Sequence, residues 1–146
     1  MFLPLPDFST LPPALFEFTS PPGTYFDAFP IHLLTTSSLG ALARLNPDSD
    51  WDARRFRPNF LVETVEGVGG LVEAGWGGRS VRLGRLVVRC EMPTPRCSMT
   101  IQAQAGLAKD PRVLRTIVRR AGQSLGAYAS VQSPGHVSAG DEVELL

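Results

Sequence analysis

The sequence predicts a mostly β domain, a β-barrel or sandwich with a few short helices. Short apolar runs separated by glycine and proline recur along the chain, and residues 79–92 alternate with period two about a Gly84-Arg85 turn. Only one segment, near residues 111–121, has the pattern of a longer helix. Because strands and helices do not alternate regularly, the pattern favours a barrel or sandwich over a fold built from βαβ units.

Size and composition indicate one domain preceded by an arm. The chain has 146 residues, of which 43% are hydrophobic, and this is enough for a single buried core. Residues 1–24 are rich in proline but also carry recurrent phenylalanine and leucine. We therefore expect an extended arm or linker over residues 1–24 and the folded domain over residues 25–146.

Charge and hydropathy argue against several classes of partner. The formal net charge is +0, so no global field would draw the chain to nucleic acid or to an anionic membrane. No apolar run approaches the ~20 residues of a membrane span, and the start lacks the basic leader of a signal peptide. We expect a cytoplasmic protein with no nucleic-acid partner and no membrane partner.

The first half of the domain contains one marked helix and one strand. Hydroxyl side chains at residues 35–38 precede leucines spaced by three, and Asn46-Pro47 ends the pattern, so we expect a short helix with a hydroxyl N-cap. Residues 59–65 are apolar and β-branched enough to form a strand, and the glycines at residues 67–70 end it.

The second half contains the hairpin, the longer helix and the closing strands. Strands flank the Gly84-Arg85 turn. Asp110 then serves as N-cap with Pro111 in the first helical position, and Gly122 ends the helix. The arginines of this helix fall outside its apolar stripe, so we expect them to be solvated. A strand, a Pro134-Gly135 turn, a short strand, a Gly140-Asp141 turn and a final strand over residues 142–146 are expected to complete the chain.

Cys97 is the residue with the most distinctive chemical setting. It follows a strand-like stretch and two prolines, and Arg96 beside it would favour the thiolate. Such a thiol suits a nucleophile or a soft-metal ligand, although a cysteine that only ends a strand is an equal alternative on this evidence. The other cysteine, Cys90, is separated from it by six residues, a spacing that fits no common zinc site, and two thiols are too few for an iron–sulfur cluster.

Four blocks of sequence, in this order, resemble the MOSC domain. They are Leu33-Leu34-Thr35-Thr36-Ser37-Ser38-Leu39, Arg55-Phe56-Arg57-Pro58-Asn59, Pro95-Arg96-Cys97-Ser98-Met99-Thr100, and the ending from Gly126 to Val143. The MOSC domain occurs in molybdenum cofactor sulfurases and in the mitochondrial amidoxime-reducing component and its bacterial relatives. The resemblance covers residues 25–146. It implies a β-barrel and a cysteine, matched by Cys97, that ligates molybdenum or carries sulfur to it.

The resemblance also implies a molybdenum cofactor, a pterin dithiolene that ends in a phosphate. Residues that match the family and suit an anion or a polar heterocycle form the expected cofactor site with Cys97: Thr35, Thr36, Ser37, Arg57, Asn59 and Arg96. The alternative for these residues is structural: an ion pair, a turn contact and a helix cap. We expect purely structural roles for four other residues, His32, His136, Cys90 and Tyr128.

The chain departs from its relatives in ways that leave three functions open. Amidoxime-reducing relatives carry a preceding β-rich segment that this sequence lacks, and sulfurases carry a pyridoxal-phosphate domain, whereas Lys109 is the only lysine here. The chain is thus expected to be a molybdenum-cofactor module of an oxidoreductase acting on N-hydroxylated or similar substrates with an external electron donor. Alternatively it is a persulfide carrier supplied by a sulfur donor protein, or a non-catalytic module that binds a partner such as the missing β-rich domain.

Overall fold

A computed structural model describes residues 28–146, so the expected arm over residues 1–24 lies outside the described residues. Six strands form one mixed sheet that is nearly closed into a barrel, in the order β2-β1-β5-β4-β3-β6. The strands are β1 (Ile31–Thr35), β2 (Phe60–Val62), β3 (Ser80–Leu83), β4 (Leu86–Pro95), β5 (Ser124–Ser133) and β6 (Val143–Leu145). The helices are α1 (Thr36–Leu45) and α2 (Pro111–Arg120), with short 3-10 turns at Ala53–Arg55, Val72–Gly75 and Ser98–Ile101. The predicted mostly β class is confirmed.

One strand pair is parallel, and it forms a single βαβ unit within a sheet whose other strand pairs are antiparallel. β1 pairs with β2 in parallel, with Leu33 opposite Phe60 and Thr35 opposite Val62, and α1 connects the two strands. Every residue of β1 is buried, including the polar His32 and Thr35, so its sequence shows no alternation of apolar and polar residues. β2 is also shorter than the predicted strand over residues 59–65, because the Thr64 N–H donates to the Thr36 hydroxyl at 3.1 Å.

The remaining strands are antiparallel, and the predicted hairpin is confirmed. β3 and β4 pair on either side of Gly84 and Arg85, and β4 continues to Pro95. Gly84 has a φ of +56°, and a Cβ there would collide with the Asp141 carboxylate, so the turn requires glycine. β4 then pairs with β5 along ten residues, with register shifts that bend the ladder.

Two apolar cores lie on opposite sides of the sheet. The first fills the barrel and includes Leu33, Val81, Val88, Cys90 and Ala129. The second lies between the sheet and the helices and is formed by Leu34, Leu42, Trp51, Phe56, Val113, Ile117 and Leu125. Consecutive residues of β1 therefore face different cores, as the alternation of a strand requires.

The helices begin where the sequence predicts. Thr35 caps α1 by accepting from the Ser38 N–H at 3.1 Å, and Asp110 caps α2 by accepting from the Arg112 N–H at 2.9 Å. The buried residues of α2, Val113 and Ile117, face the second core, and its arginines are all exposed, as expected. Within the described residues, neither helix has the length and hydropathy needed to cross a membrane.

Candidate cofactor site around Cys97

Cys97 lies at the end of β4 with its side chain exposed to solvent. It is the N-cap of the 3-10 turn Ser98–Ile101, where its carbonyl accepts from the Thr100 N–H at 3.2 Å and from the Thr100 hydroxyl at 2.9 Å. On the other side, the Arg96 N–H donates to the Gln123 carbonyl at 2.8 Å. The backbone on both sides of the thiol is therefore held, while the sulfur remains reachable.

Cys90 is the contrasting thiol of this chain. It is fully buried in the barrel core, opposite Ala129, and the expected structural role is confirmed. Burial raises the pKa of the Cys90 thiol to about 11, and the neighbouring charge of Glu91 acts in the same direction. Cys90 is thus a neutral core residue, and the accessible sulfur chemistry of the described chain belongs to Cys97.

The Arg96 side chain joins three parts of the chain. Its Nη2 donates to the Phe56 carbonyl at 2.9 Å, and the guanidinium lies 5.5 Å from the centre of the Phe56 ring. Its Nη1 lies 3.5 Å from Nε2 of His32, which is 6% exposed in β1. Arg96 therefore ties the segment that carries Cys97 to the segment that carries Arg57, and its described contacts give it a positioning role.

Arg57 is exposed on a backbone conformation that is rare for arginine. Its φ is +53°, in the left-handed region that costs a side-chain-bearing residue about 1–2 kcal/mol. Its N–H donates to the Ala53 carbonyl at 3.3 Å, and the buried Phe56 anchors the turn before it. Strained residues of this kind concentrate at functional sites. Within residues 28–146, the guanidinium forms no hydrogen bond or ion pair and is available to a ligand.

Asn59 connects β2 to β1 through two hydrogen bonds with His32. The His32 N–H donates to Asn59 Oδ1 at 2.7 Å, and the Asn59 N–H donates to the His32 carbonyl at 2.9 Å. One oxygen of the side chain is therefore structural. The Asn59 amide nitrogen makes no hydrogen bond to the described residues and remains a donor for a ligand.

The hydroxyls at the start of α1 form hydrogen bonds inside the protein. Thr35 Oγ1 donates to Glu73 Oε2 at 2.7 Å, and Ser37 Oγ donates to the Gly70 carbonyl at 2.8 Å. Thr36 Oγ1 lies 3.3 Å from the hydroxyl of Thr64. These contacts give the three residues a structural role, and their contact with a cofactor stays a prediction.

Glu73 is the residue that the sequence analysis missed. Its side chain is 2% exposed and lies at the N-terminus of α1, where it accepts from the hydroxyls of Thr35 and Ser38. A carboxylate at a helix N-terminus is stabilised by the helix dipole. The sequence indicates such a residue only indirectly. The first turn of α1 contains no acidic residue, so an acidic side chain from another part of the chain can occupy the N-terminus of the helix.

A metal site made by protein residues alone needs several ligand side chains close together. The described residues contain no group of three or more His, Cys, Asp or Glu side chains able to hold a metal ion. A metal at Cys97 would therefore arrive within a cofactor that brings its own ligands. An exposed thiol, a free guanidinium at Arg57 and an amide donor at Asn59 fit such a group, whereas the hydroxyls of α1 fit it less well because they are already bonded.

The fold and the site define a class: a mixed β-barrel with an exposed cysteine at the end of a strand, held beside an arginine-bearing turn. A family model, the MOSC domain, matches residues 22–144. The chain belongs to the MOSC domain family, which is linked to molybdenum cofactor binding. A search of curated proteins finds no match.

Solved structures with the same fold include two YiiM proteins and one YuaD protein. YiiM from Escherichia coli is 18% identical with a TM-score of 0.58, and the match covers 81% of this chain and 54% of YiiM. YiiM from Geobacillus stearothermophilus is 18% identical with a TM-score of 0.60 and the same coverage. The YuaD protein from Bacillus subtilis is 18% identical with a TM-score of 0.64, covering 83% of this chain and 65% of YuaD. The chain thus spans between about half and two thirds of these proteins.

Proposed function

We propose that this chain is a molybdenum-cofactor-binding module of an oxidoreductase that reduces N-hydroxylated or similar N- or S-oxygenated substrates, with Cys97 as the protein ligand of the metal. One observation carries the proposal. The thiol of Cys97 is exposed, and the Arg96 hydrogen bond to the Phe56 carbonyl holds its segment beside the strained turn of Arg57.

Each residue has a distinct part in the proposed site. Cys97 supplies a thiolate, a soft ligand suited to the metal. Arg57 supplies a planar guanidinium for the phosphate or the pterin oxygens, and the Asn59 amide nitrogen supplies a further donor. Arg96 keeps these elements together through Phe56 and His32 and does not need to contact the cofactor.

The proposed reaction consumes two electrons and two protons for each N–O bond broken. For an N-hydroxylated substrate, the hydroxyl and one proton leave as water, the second proton takes the place of the hydroxyl on the nitrogen, and an external electron donor supplies both electrons. When bound, the cofactor would supply the two-electron change. The protein residues bind and orient: Cys97 anchors the metal, and Arg57 offsets the negative charge of the cofactor beside it.

The experiment is a metal assay on protein from a cofactor-competent host. We expect stoichiometric molybdenum in the wild-type chain and its loss in Cys97→Ser. Cys90→Ala is the matched control, since it removes the other thiol from a buried position and should leave the metal content unchanged. Arg57→Gln should retain the fold and lower the cofactor content, because Arg57 makes no described side-chain contact that stabilises the domain.

The same samples separate the other two functions. Metal-free wild-type protein that gains one sulfur atom on Cys97 after incubation with a cysteine desulfurase would identify a persulfide carrier. Protein that acquires neither metal nor sulfur, but associates with a separately expressed β-rich MOSC N-terminal domain, would identify a partner-binding module. Either result would overturn the proposal.

A further inference from the structure

A cleft with a buried carboxylate opens beside the N-terminus of α1. Its volume is about 210 Å³, and it lies between the 3-10 turn Val72–Gly75 and the facing parts of β4 and β5. Residues of the lining are mostly apolar or small: Leu71, Ala74, Pro93, Ala121, Gly122, Leu125 and Gly126, with Ser38, Glu73 and Ser124 as polar members.

The two oxygens of Glu73 are bonded unequally. Oε2 accepts from the hydroxyls of Thr35, at 2.7 Å, and Ser38. Oε1 accepts only from the Thr35 N–H, at 3.4 Å, among the described residues. A carboxylate can accept about four hydrogen bonds. Oε1 can therefore accept a further hydrogen bond, although the side chain is only 2% exposed.

No cationic side chain of the described residues forms an ion pair with the Glu73 carboxylate. Buried charges in proteins are normally paired with an opposite charge. No Lys, Arg or His is among the described residues that line the cleft, and Glu73 forms no ion pair within residues 28–146. The dipole of α1 stabilises Glu73 in part, and a ligand with a positive charge would complete the pairing.

We propose that this cleft binds a compact organic cation, an ammonium group on an apolar body the size of one ring, with Glu73 Oε1 as its acceptor. An apolar cavity of about 150 Å³ holds a benzene molecule, so the cleft has room for such a body and its charged group. The site goes beyond the proposed function, because it requires neither the cofactor nor Cys97. Pro93 of its lining lies on β4, the strand that leads to Cys97.

Benzylamine and benzyl alcohol test the site, because they share the ring and differ in charge. By calorimetric titration at neutral pH and low salt, we expect the wild-type chain to bind benzylamine at least tenfold more tightly than benzyl alcohol. This ratio is about what a hydrogen bond to a charged group contributes. Glu73→Gln should remove the preference. Glu66→Gln, which removes the same charge from an exposed residue, should preserve it.

A second variant tests binding in the cleft without changing Glu73, in case Glu73→Gln does not fold. Ala74 is exposed at the edge of the cleft, so Ala74→Phe should narrow the cleft without breaking the bonds of Glu73. We expect Ala74→Phe to melt at the wild-type temperature and to bind benzylamine at least tenfold more weakly. Equal affinity of the wild-type chain for the two compounds, no binding of benzylamine, or an equal loss in Glu66→Gln would overturn the proposal.

Discussion

Asn59 provides a quantitative test of the link between β1 and β2. Its Oδ1 accepts from the His32 N–H at 2.7 Å, and His32 is 6% exposed. Asn59→Ala leaves that buried N–H without its acceptor, which costs about 1–3 kcal/mol of unfolding free energy. For a domain of this size, such a loss lowers the melting temperature by about 2–12 °C.

The assay is urea unfolding followed by the fluorescence of Trp51 and Trp76. The midpoint should fall while the slope with urea stays unchanged, because the two-state reaction still exposes the same surface. Asn59→Asp is the matched variant: it keeps an oxygen for the His32 N–H and should keep most of the stability. It replaces the amide donor by an acceptor, so it should lower the molybdenum content of protein from a cofactor-competent host.

Either of two results would contradict this role of Asn59. Wild-type stability in Asn59→Ala would mean that the hydrogen bond to His32 contributes nothing to the fold. A loss of stability in Asn59→Asp as large as that in Asn59→Ala would mean that the oxygen acceptor is not what matters at this position.

Three further predictions concern the thiols, β5 and the cap of α2. A maleimide at pH 8 should modify Cys97 rapidly and Cys90 only after unfolding, and mass spectrometry of the two peptides checks this. Gly126→Ala should lower the midpoint of urea unfolding, because Gly126 has a φ of +93° and an added Cβ would meet the buried histidine of β1. The Arg112 hydrogen bond lowers the pKa of Asp110 to about 2 from 3.8, so the stability it provides above pH 4 should fade as the pH falls towards 2. Asp110→Asn keeps an N-cap, so its free energy of unfolding should change less between pH 4 and pH 2 than that of the wild-type chain. An equal change in the two proteins would contradict the prediction.

The elements that could be predicted from sequence are those set by nearby residues. The hydroxyl cap of α1 and the Asp110 cap of α2 each depend on a contact within three residues, and the turn at Gly84 joins two strands that are adjacent in the sequence. The period of two in β3 and β4 identified their buried faces for the same reason. The sequence pattern did not identify β1 as a strand, because both of its faces are buried and the residues show no alternation.

The sequence named candidates for the site, and their roles towards a cofactor stay predictions. The sequence singled out Cys97, Arg57 and Asn59, and the structure places Cys97 and Arg57 at exposed positions and bonds Asn59 to β1. It did not indicate that Arg96 would bond to Phe56, 40 residues away. It also did not indicate that the acid beside Thr35 would be Glu73, 38 residues along the chain.

The sequence by itself determined the mostly β class, the caps and turns, and the family to which the chain belongs, because each depends on residue types at fixed short spacings. Only the tertiary structure decided the parallel pairing of β1 and β2, the engagement of the α1 hydroxyls by Glu73, and the position of Arg96 between two segments. These features depend on which distant groups the barrel brings within hydrogen-bonding distance of one another. A buried donor or acceptor takes whichever partner the packing supplies, and no local pattern identifies that partner.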